Sequence, residues 1–234
     1  VSDLPDNPAW HTLAAEHLPF TVGNECARRY TPEYTPLMAF ADPARADLEP
    51  LAEHTSLCEV LWGDGWRGPV PPAWELIDEA PVIRLAWRAG LPDPPATQHW
   101  RRLGPGDAEQ ALALAQATQP GPFGPRTTEL GEYLGIFDGP RLVAMAGERM
   151  KAGPWREISG VCTKPEHEGR GYASALTRAL VRRQKLRGER PFLHVAADNR
   201  RAWALYRRLG FAPCGETVVR AIRSRVAPTG GVRT

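Results

Sequence analysis

The sequence predicts an α/β (α+β) fold: a mixed central sheet flanked by helices, with an N-terminal α/β half packed against it. Three observations predict this. From about residue 99 to 224, short β-rich runs and helix-periodic segments follow the order strand, helix, loop, three strands, helix, strand, helix, strand. Asp138-Gly139 sits between two of the runs as a hairpin turn. The chain has 234 residues, 42% apolar and 24% charged, the composition of an ordinary folded protein of one large or two small domains. That balance excludes a collagen-like chain, a coiled coil and a disordered tail.

In the N-terminal half, Asn7-Pro8 reads as a helix start, with Asn as cap and Pro at the first helical position, leading through Trp10, Leu13 and Ala14 toward Leu18. Asp42-Pro43 repeats the signal, with Ala44, Leu48, Leu51 and Ala52 at helical spacing. Residues 57–62 and 82–87 read as strands, and 63–72 as a turn-rich loop. Six of the eight Trp lie in the first hundred residues and read as core anchors rather than a ligand platform. Residues 91–95, Leu-Pro-Asp-Pro-Pro, are the best linker. They divide an N-terminal α/β region, 1–95, from a second domain, 96–234.

The second domain begins with a short strand at 100–103. Gly106-Asp107 starts a helix with Ala108, Ala111, Leu112 and Ala115 on one face. Residues 119–126 hold three prolines and two glycines, which exclude regular helix and central strand. Strands follow at 133–137, 142–149 and 157–163. Residues 172–186 read as a helix, 192–196 as a strand, 200–208 as a helix ended by Gly210, and 217–222 as a last strand.

Charge is split. Residues 1–100 carry six Arg, no Lys and 15 acidic groups, net −9, and the remainder of the chain carries +11. The halves are complementary, and an acidic wall beside a site favours a cationic ligand. No Lys/Arg run interleaves with aromatics, so nucleic acid is not an expected partner. Cys26, Cys58, Cys162 and Cys214 form no Cys-x-x-Cys pair, and the six His have no metal-ligand spacing. No apolar run approaches a membrane span, and residues 1–6 lack the features of a secretory signal. The expectation is a reduced, cytoplasmic, metal-free protein that meets no membrane.

The chemistry concentrates in residues 161–173, Val-Cys-Thr-Lys-Pro-Glu-His-Glu-Gly-Arg-Gly-Tyr-Ala. A strand ends, Pro165 breaks it, and a glycine loop runs straight into a helix. Such a loop aims free N–H groups and the positive end of a helix dipole at one point, a ready pyrophosphate site. Gly169 and Gly171 remove the Cβ from its approach, and Arg170 adds positive charge. No Gly-Lys-Ser/Thr follows, and neither a third glycine nor the distal acidic residue is present, so the Walker and Rossmann patterns are both absent. Taken alone, the loop also reads as a plain strand-to-helix turn.

A second motif decides between these readings. Asn199, Ala202, Leu205, Tyr206, Gly210 and Phe211 match Asn-x-x-Ala-x-x-Leu-Tyr-x-x-x-Gly-Phe, and Gly171 and Ala173 match Gln/Arg-x-x-Gly-x-Gly/Ala, with Glu168 at its first position. Together they resemble the GNAT acetyltransferase superfamily over the C-terminal 130 or so residues. The stretch 191–195 resembles the branch that includes amino-acid N-acyltransferases. The resemblance implies acetyl-CoA (CoA) as cofactor and transfer of its acetyl group to a primary amine by direct attack. The acceptor would be a small-molecule or peptide amine, and the N-terminal half, itself a candidate degenerate copy of the same fold, would shape its site. Backbone at Val161 and Thr163, flanking Cys162, would bond the pantetheine arm. Amides from Gly169, Arg170, Gly171, Tyr172, Ala173 and Ser174 would hold the pyrophosphate. Asn199 would bond the cofactor arm, and Tyr206 would protonate the departing thiolate. Glu168 departs from the motif and places a carboxylate near the phosphates.

An amine nucleophile, mostly protonated at neutral pH, needs a general base. Glu157 is the first candidate, since its spacing to Glu168 resembles that in the histone-acetylating branch; Glu148 and His194 are alternatives. Cys162 reads as a small buried residue rather than an acyl carrier. The rival readings are a non-catalytic CoA-binding sensor and a protein-interaction module built on the Trp-rich half. A homodimer is compatible with all three.

Overall fold

The computed structural model describes residues 3–93 and 100–227. The N-terminal half forms α1 (Pro8–Leu13), β1 (Thr21–Gly23), β2 (Ala27–Tyr30), β3 (Leu37–Phe40), α2 (Glu49–Ala52), β4 (Val60–Asp64) and β5 (Trp74–Trp87). The C-terminal half forms β6 (Trp100–Arg102), α3 (Ala108–Thr118), β7 (Tyr133–Asp138), β8 (Arg141–Ala152), β9 (Trp155–Thr163), α4 (Tyr172–Leu186), β10 (Arg190–Ala196), α5 (Arg200–Leu209) and β11 (Phe211–Ser224). All the described strands join one mixed sheet in the order β1-β2-β3-β4-β11-β5-β10-β9-β8-β7-β6.

Asn7 caps α1, its side chain accepting from Trp10 N, and its Nδ2 donates to the Phe40 carbonyl at 2.7 Å, tying the helix to β3. Asp42 caps only one short turn at Pro43–Arg45, and α2 starts separately at Glu49, so the single helix read from Asp42-Pro43 is two shorter pieces. The expected residues 57–62 shift to Val60–Asp64, and 82–87 is the end of the much longer β5. The strands β1 to β3 carry no clear sequence signal: they are three or four residues long, and Arg28 and Arg29 occupy the middle of β2.

In the C-terminal half the expected elements appear in order. The Asp138-Gly139 hairpin joins β7 to β8, and Gly210, at φ 114, ends α5. The last strand is longer than read, because β11 and β5 run side by side over fourteen residues each. Thus β5, from the first 95 residues, lies in the middle of the sheet, between β11 and β10. The boundary expected at 95/96 and the end of the Pro-rich linker lie outside the described residues.

One core packs α4 and α5 against β5, β8, β9, β10 and β11, around Leu85, Leu176, Leu180, Leu193 and Phe211. A second joins α1 to β8, β9 and β10 through Leu13, Met150, Trp155 and Phe192. A third fills the N-terminal half around Phe40, Leu51, Leu61 and Trp66. Among the described residues, no helix is long and apolar enough to cross a membrane.

Candidate active site

The site begins where the sheet opens. The parallel strands β9 and β10 pair only at Trp155–Arg190, Arg156–Pro191 and Glu157–Phe192. Beyond that point β10 pairs with β5 alone and β9 with β8 alone, so the two strands diverge. The divergence coincides with a bulge: Cys162 faces Met145 and Ser159 faces Gly147, leaving one extra residue in β9 at Gly160–Val161. A bulge frees a residue from the ladder and bends the strand. Gly160 takes φ 60, and a Cβ there would stand 3.2 Å from the Tyr133 ring.

On one side of the split lies a groove of about 720 Å³. Val161, Cys162 and Thr163 form its strand wall, and Gly169, Gly171, Tyr172, Ala173 and Ser174 form its floor at the start of α4. Gly171 is the α4 N-cap at φ 80, and Gly169 has φ 75. A Cβ built on either glycine meets nothing within 4 Å. The helix therefore offers its unbonded N–H groups to an open space, the geometry a pyrophosphate needs. Arg170 is exposed and turns back, its Nη2 3.4 Å from the Glu166 carbonyl. Glu168 is held by Arg201 at 2.7 Å, which offsets the carboxylate that departs from the motif. The Asn199 side chain caps α5 through Ala202 N, and the residue lines the groove.

On the other side lies a second cavity of about 410 Å³. It shares Val161, Asn199, Ala202 and Tyr206 with the groove, so the two spaces meet there. Tyr206 is 8% exposed. Burial, with a smaller contribution from Cys162, pushes its phenol up to about 12. It is a protonated donor at neutral pH. Burial likewise pushes the Cys162 thiol up to about 11, so this cysteine is a protonated, buried side chain.

The second cavity draws its walls from both halves. Leu37, Trp62, Asp64, Asp78 and Val82 come from the N-terminal half, and Arg149, Glu157 and His194 from the C-terminal half. Glu157 is 1% exposed and takes both Arg149 nitrogens, Nε at 2.9 Å and Nη2 at 2.8 Å. Burial alone would raise its carboxyl, but Arg149 and the His194 hydrogen bond reverse this and hold it at about 2. Glu157 is thus an ionised acceptor. An ionised carboxylate only accepts, so His194 Nδ1, 2.8 Å away, donates to it. His194 Nε2 has no hydrogen-bond partner, and it stands 3.8 Å from Asp64 Oδ2, which has none either.

Glu157, Tyr206 and the expected cofactor residues other than Arg170 therefore converge on the split. Glu148 lies elsewhere, in an ion-pair network with Arg187 and Gln184. Asp64 and Arg149 escaped the sequence reading. Asp64 sits in Gly63-Asp64-Gly65, which reads as a turn but is the end of β4. Arg149 lies within a run of buried strand residues, Leu142 to Met150, and an Arg in such a run is a signal for a buried carboxylate partner.

The sheet is thus split between two parallel strands, with a glycine-led helix at one mouth and a cavity open to solvent at the other. The FR47-like protein family matches residues 133–226. A protein assigned to the GNAT family of acetyltransferases, from Novosphingobium aromaticivorans, is 33% identical, with a TM-score of 0.84 over 94% of this chain and 98% of its own. The chain belongs to the GNAT family. The same fold recurs at 15% identity in a GCN5-related N-acetyltransferase-like protein from Streptococcus suis, with a TM-score of 0.59 over 96% of this chain and 95% of that one. It recurs at 16% identity in a GCN5-related N-acetyltransferase from Kribbella flavida, with a TM-score of 0.53 over 94% and 96%. No curated protein matches the chain.

Proposed function

We propose that the protein transfers an acetyl group from acetyl-CoA to a primary amine by direct attack. The observation that carries this reading is the meeting of the groove and the cavity at Tyr206, across the bulge in β9. Acetyl-CoA supplies an acyl thioester. The residues present fit it: the open glycine floor would take the pyrophosphate, with Arg170 adding charge from outside, and backbone at Val161 and Thr163, flanking Cys162, would meet the pantetheine arm. Asn199 would lie beside that arm. The N-terminal half, residues 1–95, shapes the acceptor cavity.

His194 Nε2 takes a proton from the acceptor ammonium. Glu157 works through His194: its charge fixes the Nδ1–H tautomer and stabilises the imidazolium as it forms. With acetyl-CoA bound, the amine nitrogen would bond the acyl carbon as the carbon–sulfur bond breaks. Tyr206 would give its proton to the departing sulfur and recover one from the amide nitrogen through solvent, so that one proton would be released per turnover. Four free cysteines suit a reducing, cytoplasmic setting.

The test is release of free thiol from acetyl-CoA across a panel of primary amines, with the acetylated amine confirmed by mass. Amine-dependent thiol release supports transfer. CoA binding without transfer to any amine would favour a sensor.

A further inference from the structure

The acceptor cavity has an unusual charge arrangement. Among the described residues that line it, Asp64, Asp78 and Glu157 are acidic, and Arg149 is the single arginine or lysine. Arg149 is committed to Glu157 through two hydrogen bonds, so a carboxylate entering the cavity meets no free cation. Asp64 is different. It is 6% exposed, and its Oδ1 accepts from Thr217 Oγ1 at 2.5 Å with Arg84 3.8 Å away. Its Oδ2 is buried without a partner and faces the similarly unpartnered His194 Nε2.

Asp64 Oδ2 and His194 Nε2 stand 3.8 Å apart, beyond hydrogen-bond distance. Among the described residues neither has a hydrogen-bond partner, and leaving both buried and unpaired is costly. A group with at least two N–H donors and a positive charge satisfies both. Leu37, Trp62, Val82 and Val219 supply apolar wall that suits a compact hydrocarbon body.

Building on the acetyl-transfer reading, we infer that the acceptor is a compact cationic primary amine without a carboxylate. Its ammonium bridges Asp64 Oδ2 and His194 Nε2. Asp64, which belongs to the N-terminal half, is the residue that selects it. An amino acid is a poor acceptor, because its carboxylate would lie among acidic groups.

The experiment compares three probes with one apolar body: benzylamine, benzyl alcohol and phenylglycine. Each is titrated by calorimetry into full-length protein saturated with CoA, and the two amines are also assayed with acetyl-CoA. Benzylamine should bind roughly tenfold or more tightly than either other probe, and Asp64→Asn should weaken benzylamine binding by a similar factor. In turnover that loss should fall on KM more than on kcat, with the melting temperature nearly unchanged. Asp64→Ser, smaller and still able to meet Thr217, gives the same reading should the amide strain the site. Phenylglycine binding as well as benzylamine, or benzylamine binding equally to wild type and both variants, overturns the inference. Selective benzylamine binding without transfer to any amine would sink acetyl transfer and leave the Asp64 assignment standing.

Discussion

The two halves of the chain repeat one plan. In the N-terminal half, α1 precedes an antiparallel run β1-β2-β3, α2 crosses to the parallel strand β4, and the long β5 follows. In the C-terminal half, α3 precedes β7-β8-β9, α4 crosses to the parallel β10, and the long β11 follows. The last strands are exchanged: β11 pairs with β4, and β5 pairs with β10. The halves differ where the chemistry would be. The α4 helix has fifteen residues and a glycine N-cap, whereas α2 has four and its N-cap is Leu48. Each half also pairs an arginine of its second strand with a glutamate. Arg29 is closed off by Tyr30, His54, Thr55 and Glu59, whereas Arg149 and Glu157 open onto a cavity. The difference teaches that the fold alone makes no site. The strand split, the glycine floor and the long helix all belong to the C-terminal half, and the N-terminal half contributes wall residues to the cavity beside them.

The largest effect should come from separating the halves. A fragment of residues 96–234 lacks β5 and exposes the edges of β10 and β11 together with their apolar faces. It should aggregate on size-exclusion chromatography. A soluble monomer that still binds CoA would mean that the halves are independent domains.

Next is Tyr206→Phe. The ring stays packed against Phe211 and only the hydroxyl is lost. Turnover should fall by about 10²–10⁴, the worth of a positioned acid, with CoA affinity and melting temperature nearly unchanged. Wild-type turnover would make Tyr206 a packing residue only.

Glu157→Gln tests the opened arginine pair. It leaves Arg149 buried with its charge unmatched, which costs about 3–5 kcal/mol in urea unfolding. Because the Glu157 carboxyl lies below its usual range in the folded protein, its stabilising contribution is complete above about 4.5, the unfolded value, and is lost as pH falls toward 2. The variant should lack that part of the acid-side slope. A variant as stable as wild type at pH 7 and at pH 3.5 contradicts this.

The smallest effects compare the two crossover helices. Gly171→Asp puts a carboxylate and a Cβ on the open floor, and losing two charge-assisted bonds at about 1.5–3 kcal/mol each should weaken CoA a hundredfold or more. Glu49→Gln, in the first turn of α2, should leave CoA affinity unchanged in the same calorimetric titration.

The sequence was most readable where elements are long and buried on one face. In α4, Leu176 and Leu180 repeat at helical spacing, and α5 places Ala202, Leu205, Tyr206 and Leu209 on one side. The glycine loop and the Tyr206 motif therefore landed on the correct elements. The N-terminal half was harder for physical reasons. The Trp74–Trp87 strand runs through exposed Leu76, Ile77, Asp78 and Glu79, so no alternation marks it. Its Pro81 resembles a strand breaker. It is tolerated because it sits at the end of the pairing with β10, where its carbonyl still accepts from Ala197 N at 2.9 Å and only the bond of the missing N–H is lost. Asp64 could not be read as a site residue, because its place beside His194 depends on β4 and β10 being brought together through β11 and β5.

The most direct test of the central claim is a crystal structure of the protein with CoA. The account predicts the pyrophosphate over residues 169–174, the pantetheine arm between β9 and β10, and the sulfur beside the Tyr206 hydroxyl at the mouth of the acceptor cavity. CoA bound along α2, or with its sulfur turned away from Tyr206, would contradict it.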